Sequence, residues 1–377
     1  MKGNKKITRG LPLFLLGLGF LVLVLPNSAS AQSMSDWKQK WQKVQSEAKK
    51  EGKVVVLGPS GAAIRKGLTQ GFMKAFPDIT IEYTGGRGSR LVPKIKAERD
   101  AGIFSMDVFI TGSSTYRRLK GTGALSPVKP ALILPEVTNP KNWRNNRLNF
   151  EDVDEMYDLA FIGMISPIVL YNADLVKPEE IDETSELLDP KWKGKIVIND
   201  PLVGGTGFTV FRHFWATMGP EKATEYYKKI RSQAAAVTRN LRLQIEWVAS
   251  GKYPILLGPS GGMSNQMRKR GLKFEILTEW KDIGAFINSG SGGVMLFNKA
   301  PHPNAATVFI NWILSKEGQT IYSKASGQLS NMRGVPRDHL SPDGIPKHGG
   351  KYWNSSLEIN RIRSKEETKI LKELFGK

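Results

Sequence analysis

An α/β fold in two similar halves is predicted for this chain by three observations. Strand, loop and helix follow one another repeatedly along the sequence, the pattern of a parallel sheet flanked by helices. The pentapeptide Leu57-Gly58-Pro59-Ser60-Gly61 recurs as Leu257-Gly258-Pro259-Ser260-Gly261, each copy at the end of an apolar run. A chain of 377 residues without cysteine is too long for one compact core and, lacking disulfides, rests on buried apolar area.

The first residues indicate export. Lys2, Lys5, Lys6 and Arg9 precede an apolar run over residues 11–25, and Ala29-Ser30-Ala31 follows as a small-residue cleavage pattern. The run is shorter than the ~20 residues that span a bilayer. A signal peptide over residues 1–31 is expected, with the remaining chain released to the periplasm.

Trp37, Trp41, Val44 and Ala48 recur at helical spacing and Gly52 ends the pattern, predicting a helix over residues 37–51. Val54 to Leu57 reads as a buried strand, followed by Gly58-Pro59-Ser60-Gly61 and a helix carrying Ile64, Leu68 and Phe72. A second unit runs from the strand at residues 79–83 through Gly85-Gly86-Arg87-Gly88-Ser89 to a helix at residues 91–99. A third places the strand at residues 107–110 before Thr111-Gly112-Ser113-Ser114. The other half repeats the scheme. Residues 196–198 precede Gly204-Gly205-Thr206-Gly207 and a helix, and residues 253–257 run into the second Gly-Pro-Ser-Gly.

Loops beyond the carboxyl ends of parallel strands gather at one crevice, where ligands bind in open α/β sheets. Ser60, Gly61, Arg87, Ser89, Thr111, Ser113, Gly205, Thr206, Ser260 and Gly261 are therefore candidate ligand-binding residues, with Arg239 and Asn240 beside a predicted strand end. Backbone N–H groups at helix starts, hydroxyls and guanidinium forks suit an oxyanion such as a phosphonate or carboxylate. Most of the formal charge of +20 reads as solvated surface, with a small share left to line an anion site. The basic residues are dispersed and no nucleic-acid motif occurs, so nucleic acid is not expected as a partner.

Residues 168–175 (IVLYNADL), residues 190–196 (PKWKGKI) and the stretch from Pro303-Asn304-Ala305-Ala306 to Glu317-Gly318-Gln319 together resemble the extracellular solute-binding proteins of bacterial ABC importers, in the iron(III)-type branch. The resemblance implies two Rossmann-like α/β lobes joined by a hinge, the type II periplasmic-binding-protein fold. Lobe 1 would be residues 34–167 and 293–340, and lobe 2 residues 168–292 and 341–377. It also implies a monomer that closes on a small ligand and delivers it to an ABC permease in the inner membrane. Gly290, Gly292 and Gly293 fit a return hinge, and Tyr171 at the crossover becomes a further candidate ligand residue.

In that branch, members holding bare ferric iron use paired tyrosines with a histidine and a glutamate. The matching slots here fall near Ser60, near Gly112 and at Gly258-Pro259-Ser260-Gly261. Tyr226-Tyr227 lies in a predicted helix where neighbours point ~100° apart, so one ring is expected inside and one at the surface. His213, His302, His339 and His348 show no ligand spacing. No metal ligand, cofactor or catalytic residue is assigned. The main expectation is an anion such as a phosphonate or carboxylate, with bare ferric iron disfavoured; the alternatives are ferric iron held by non-standard ligands, or a two-lobed enzyme. For an enzyme, Gly258-Pro259-Ser260-Gly261-Gly262 has nucleophile-elbow spacing but no histidine is placed as its base.

Overall fold

The computed structural model describes residues 28–202, 205–347, 350, 352–362 and 365–376. The basic start and apolar run of the expected signal peptide, together with Gly204 and His348, lie outside the described residues. The predicted first helix begins nine residues earlier than its hydrophobic spacing indicated, as α1 (Ser28–Glu51). Then β1 (Lys53–Gly58), α2 (Ala62–Ala75), β2 (Thr80–Gly85), α3 (Gly88–Asp100), β3 (Val108–Thr111) and α4 (Ser113–Leu119) form the three predicted units.

The chain continues through β4 (Leu125–Ser126), α5 (Pro135–Thr138), β5 (Leu159–Ala160) and β6 (Met164–Ile165) to β7 (Val169–Tyr171) and β8 (Ile196–Asn199). Next come α6 (Thr206–Met218), α7 (Pro220–Gln233), β9 (Ala234–Thr238), α8 (Leu241–Ala249), β10 (Ile255–Leu257), α9 (Gly261–Arg268) and β11 (Glu275–Leu277). It returns through β12 (Phe286–Asn288) to β13 (Gly293–Phe297), α10 (Pro303–Leu314) and α11 (Lys316–Ser326). The tail holds β14 (Trp353–Asn354), α12 (Glu358–Arg361) and α13 (Lys365–Phe375).

Two larger sheets result. One has the order β2-β1-β3-β13-β4, with β5 also on β13; the other is β11-β7-β10-β8-β9. Within each the central pairs are parallel, β2-β1-β3 and β10-β8-β9, and the strands next to the crossings, β13 and β7, are antiparallel. Alternation along each strand sends side chains to opposite faces. Val54, Val56, Val108 and Ile110 enter a core with α2, α10 and α11, whereas Leu57 and Phe109 enter one with α3 and α4. Ile196, Ile198, Ile255 and Leu257 face α6 and α7, while Val197 and Leu256 face α8 and α9. Each sheet is thus sandwiched by helices. Each fully buried Phe or Leu contributes about 1.5–3 kcal/mol relative to exposure, and no cysteine supplements these cores.

A third sheet, β14-β12-β6, connects the two halves. The chain leaves the first sheet after β5 and passes through β6, so the change of sheet starts before the residue 168 expected for it. On return, β12 runs antiparallel to β6. The tail also divides between the halves. Phe375 joins the core of the second, but Glu358 bonds Lys120 and accepts from the Val153 N–H at 3.1 Å in the first. A carboxylate flanked by these donors holds α12 against the first half, so residues 341–377 do not all pack on one lobe.

Candidate functional site

Five helices begin where the two larger sheets face each other. The residues that precede α2, α3, α4 and α6 are Gly61, Arg87, Gly112 and Gly205, and none caps its helix with a side chain. Elsewhere the chain does cap its helices: Asn240 accepts from Leu243 N at 3.1 Å and Ser315 from Gly318 N at 3.3 Å. Among the described residues, the first N–H groups of α2 and α6 and those of Gly88 and Ser89 in α3 are therefore left for a solvent or ligand acceptor, the Arg90 N–H being bonded to the Arg87 carbonyl at 2.8 Å, with the positive ends of the dipoles beside it. At α9, Ser260 accepts weakly from Met263 N at 3.4 Å.

These helix starts line a cleft of about 1140 Å³ whose walls include Ser60, Arg87, Ser89, Thr111, Arg117 and Arg118 from the first half and Leu202, Gly205, Phe208 and Gln266 from the second. A further 350 Å³ adjoins it through the shared Gly205 and Gly290, lined by Thr206, Ser260, Gly261, Asn265, Asn288 and Gln328 among others. Among the described residues, no Asp, Glu, His or Tyr lines either part. No group of three His, Cys, Asp or Glu among them is arranged to hold a metal ion.

The sequence-derived candidates separate clearly. Ser60, Arg87, Ser89, Thr111, Gly205, Thr206, Ser260 and Gly261 line the cleft. Two of the hydroxyls are already engaged: Thr206 Oγ1 donates to the Gly258 carbonyl at 2.9 Å, and Thr111 Oγ1 pairs with Thr115 Oγ1 at 2.9 Å. Gly61 and Ser113 do not line the cleft: Gly61 is the exposed residue preceding α2, and Ser113 is buried at the start of α4.

Tyr171, Arg239 and Asn240 do not line the cleft. Tyr171 is buried in β7 between Ile255 and Glu275, its ring in the core with Ile198 and Phe208. Arg239 Nε is paired with Asp200 Oδ2 at 2.8 Å, and the Asn240 side chain is spent on capping α8. Arg242 pairs with Glu246. Tyr226 and Tyr227 correct the one-in, one-out expectation, for both are buried. Tyr226 donates to the Thr184 carbonyl at 2.9 Å, and Tyr227 stacks edge-on against Phe211 and Phe214.

The described histidines are also committed elsewhere. His213 is buried against Phe286 and Trp353, and burial pushes its pKa down to about 4. His302 Nδ1 lies 2.8 Å from Asp107 Oδ2, and His339 Nε2 lies 3.0 Å from Ser323 Oγ. Missed from the sequence were Arg117 and Arg118, one turn into α4, and Gln266 on α9. The signal for the arginines was present: a residue four or five places after Ser113, on a helix that opens at the crevice, still overlooks it, whereas Gln266 lies six places after Ser260.

Residues 56–320 match the family described as bacterial extracellular solute-binding protein. Iron uptake protein A1 of Synechocystis sp. is 26% identical over 270 residues, covering 68% of this chain and 70% of that protein. The Fe(3+)-binding periplasmic protein of Serratia marcescens is 24% identical over 328 residues, 81% of this chain and 88% of its own. Among solved structures, Trichodesmium IdiA (FutA) in complex with iron and citrate ligands aligns with a TM-score of 0.63 at 20% identity, covering 86% of this chain and all of that one. The fold is accordingly that of the type II periplasmic binding proteins.

Proposed function

We propose, from the premise that the chain belongs to the bacterial extracellular solute-binding proteins, that it is an importer's receptor that takes iron(III) as a complex with a small anionic chelator. The names of the relatives favour iron over the phosphonate or carboxylate expected from the sequence. The lining supports a particular form of that iron. One observation carries the reading: the cleft presents Arg87, Arg117 and Arg118, uncapped helix starts and hydroxyls, and no carboxylate, phenol or imidazole among the described residues. Bare Fe3+ takes hard anionic oxygen donors. Here those donors would come from a polycarboxylate or phosphate-type chelator, whose outer oxygens the guanidinium and amide donors hold.

Lobe 1 (residues 34–167 and 293–340) would meet such a complex through Ser60, Arg87 and Arg118, and lobe 2 (residues 168–292) through Gly205, Ser260 and Gln266. Closure about the connecting strands would then present one ligand-filled surface to the permease. Ligand shifts the population toward the closed form only by its preference for that form. A metal-free polycarboxylate or organophosphate is the second reading, because the same donor set satisfies an oxyanion without a metal. An enzymatic role has no support in the cleft: no histidine among the described residues lines it to serve as base to Ser260.

Calorimetry with ferric citrate, citrate alone and ferric chloride separates these readings. Ferric citrate is expected to bind, and Arg118→Gln to weaken it by about tenfold to a hundredfold, the ~1.5–3 kcal/mol scale of a hydrogen bond to a charged group. Equal binding of citrate alone would select the metal-free reading. Stoichiometric binding of ferric ion without chelator would sink both.

A further inference from the structure

A second cavity, about 760 Å³, lies on the other face of the connecting sheet from the cleft. Strand β12 shows the relation directly. Phe286 and Asn288 line the cleft side, and Ile287 between them lines this cavity, as the two-residue alternation of a strand requires. Four cationic side chains face the basin: Arg144, Arg333, Arg337 and Lys347; no carboxylate lines it among the described residues.

The charges are held by neutral groups. Arg144 is half-buried, donating through Nη1 to the Gly163 carbonyl at 2.7 Å; burial first, against an opposing effect of Tyr352 and with a smaller one from neighbouring Arg337, lowers its pKa to about 10. Arg333 donates through Nε to the Trp143 carbonyl and through Nη2 to Asn146 Oδ1, both at 3.2 Å. Among the described residues Arg144, Arg333 and Arg337 form no ion pair, whereas Lys347 pairs with Glu279 Oε2 at 2.7 Å. The three arginines, gathered without a counter-charge among the described residues, repel one another, and a bound anion removes that cost.

The two walls also belong to different halves. Trp143 and Met332, beside Arg144 and Arg333, lie in the core of the first sheet. On the opposite wall, Lys347 pairs with Glu279 next to Trp280 of the second core, and Tyr352 precedes Trp353, which packs on that core.

We propose that this basin is a second ligand site, for a small polyvalent oxyanion of the pyrophosphate or polycarboxylate class, bridging the two halves behind the connecting strands. Its coupling to the cleft rests on the clamp reading given above. Two cavities on opposite sides of one pivot open in opposition, so an anion drawing Arg333 and Arg337 toward Lys347 opposes closure on the cleft ligand. Thermodynamic linkage makes the antagonism mutual.

The test titrates the chain with inorganic pyrophosphate by calorimetry, using wild type, Arg337→Gln, Lys347→Gln and Arg118→Gln, each with its thermal melt recorded. Arg337→Gln and Lys347→Gln, both at exposed positions, are expected to weaken a pyrophosphate event about tenfold that Arg118→Gln leaves in place. Pyrophosphate binding that Arg118→Gln removes and the other two variants leave unchanged overturns the site. For the coupling, pyrophosphate is expected to weaken ferric citrate binding in wild type and not in Lys347→Gln. Equal ferric citrate affinity with and without pyrophosphate overturns the antagonism. Absence of any ferric citrate binding counts against the cleft reading alone, since the pyrophosphate event is scored without it.

Discussion

Asp158 sits in an adverse local electrostatic setting. It is fully buried and neither carboxylate oxygen has a hydrogen-bond partner. Burial first, and then the nearby Glu151, Asp152 and Glu358, raise its pKa well above 3.8. A carboxyl whose folded pKa is raised costs no stability while both states are protonated, below the unfolded pKa. It becomes a cost as pH rises through the interval up to the folded value, where only the unfolded chain ionises. Asp158→Asn is therefore expected to stabilise the protein at pH 7 by about 1–3 kcal/mol, the scale of one uncompensated buried polar group. Urea midpoints at pH 7 and pH 4 check it: the gain should be present at the first and much reduced at the second, and a lower midpoint at pH 7 would refute it. Tyr171 marks what was hidden at the same scale. Residues 168–171 are apolar throughout, so the strand was legible, but an unbroken apolar run does not say which face each residue takes. Only the pairing with β10 and β11 assigns Tyr171 to the core.

At the scale of elements, the recurring Leu-Gly-Pro-Ser-Gly was legible in place and not in conformation. Both copies end a strand with at least one parallel neighbour and enter a helix, β1 into α2 and β10 into α9. Yet Gly258 has φ 82° and Ser260 is the residue before α9, whereas Gly61, at φ 147°, is the residue before α2. The difference lies in tertiary partners: Tyr83 Oη bonds the Pro59 carbonyl at 2.7 Å in one loop, and Asn199 Nδ2 bonds the Gly258 carbonyl at 2.8 Å in the other. The connecting strands β6 and β12 escaped prediction because two or three residues show no periodicity. Helix α6 depends on a close approach, since a Cβ on Gly207 would collide with the Asn199 carbonyl. Gly207→Ala should cost about 1–3 kcal/mol, the usual penalty of overpacking. It should also weaken ligand binding, because Asn199 and Thr206 both fix the Gly258 loop. An unchanged urea midpoint would show that α6 yields more easily than this contact implies.

At the scale of the whole molecule, two sheets with a shared cleft were legible from the repeated units, while the cleft's chemistry was only partly so, because Arg117, Arg118 and Gln266 lie on helix faces beyond the loops. What the full architecture adds is an opposition of walls that a covalent probe can read. The chain has no cysteine, so a pair of new ones reports on itself alone. Ser89 and Gln266 line the same cleft from opposite halves and both are exposed. A disulfide requires Cα atoms within about 7 Å. If ligand brings the lobes together, the double variant Ser89→Cys and Gln266→Cys should oxidise faster with ferric citrate present, in proportion to the rise in the closed population. A shift from about 1% to about 50% closed would give a rate increase on the order of fiftyfold, followed as a mobility change on non-reducing gels. Rates that do not change with ligand would rule out closure across this pair of walls, even if calorimetry shows that ferric citrate binds.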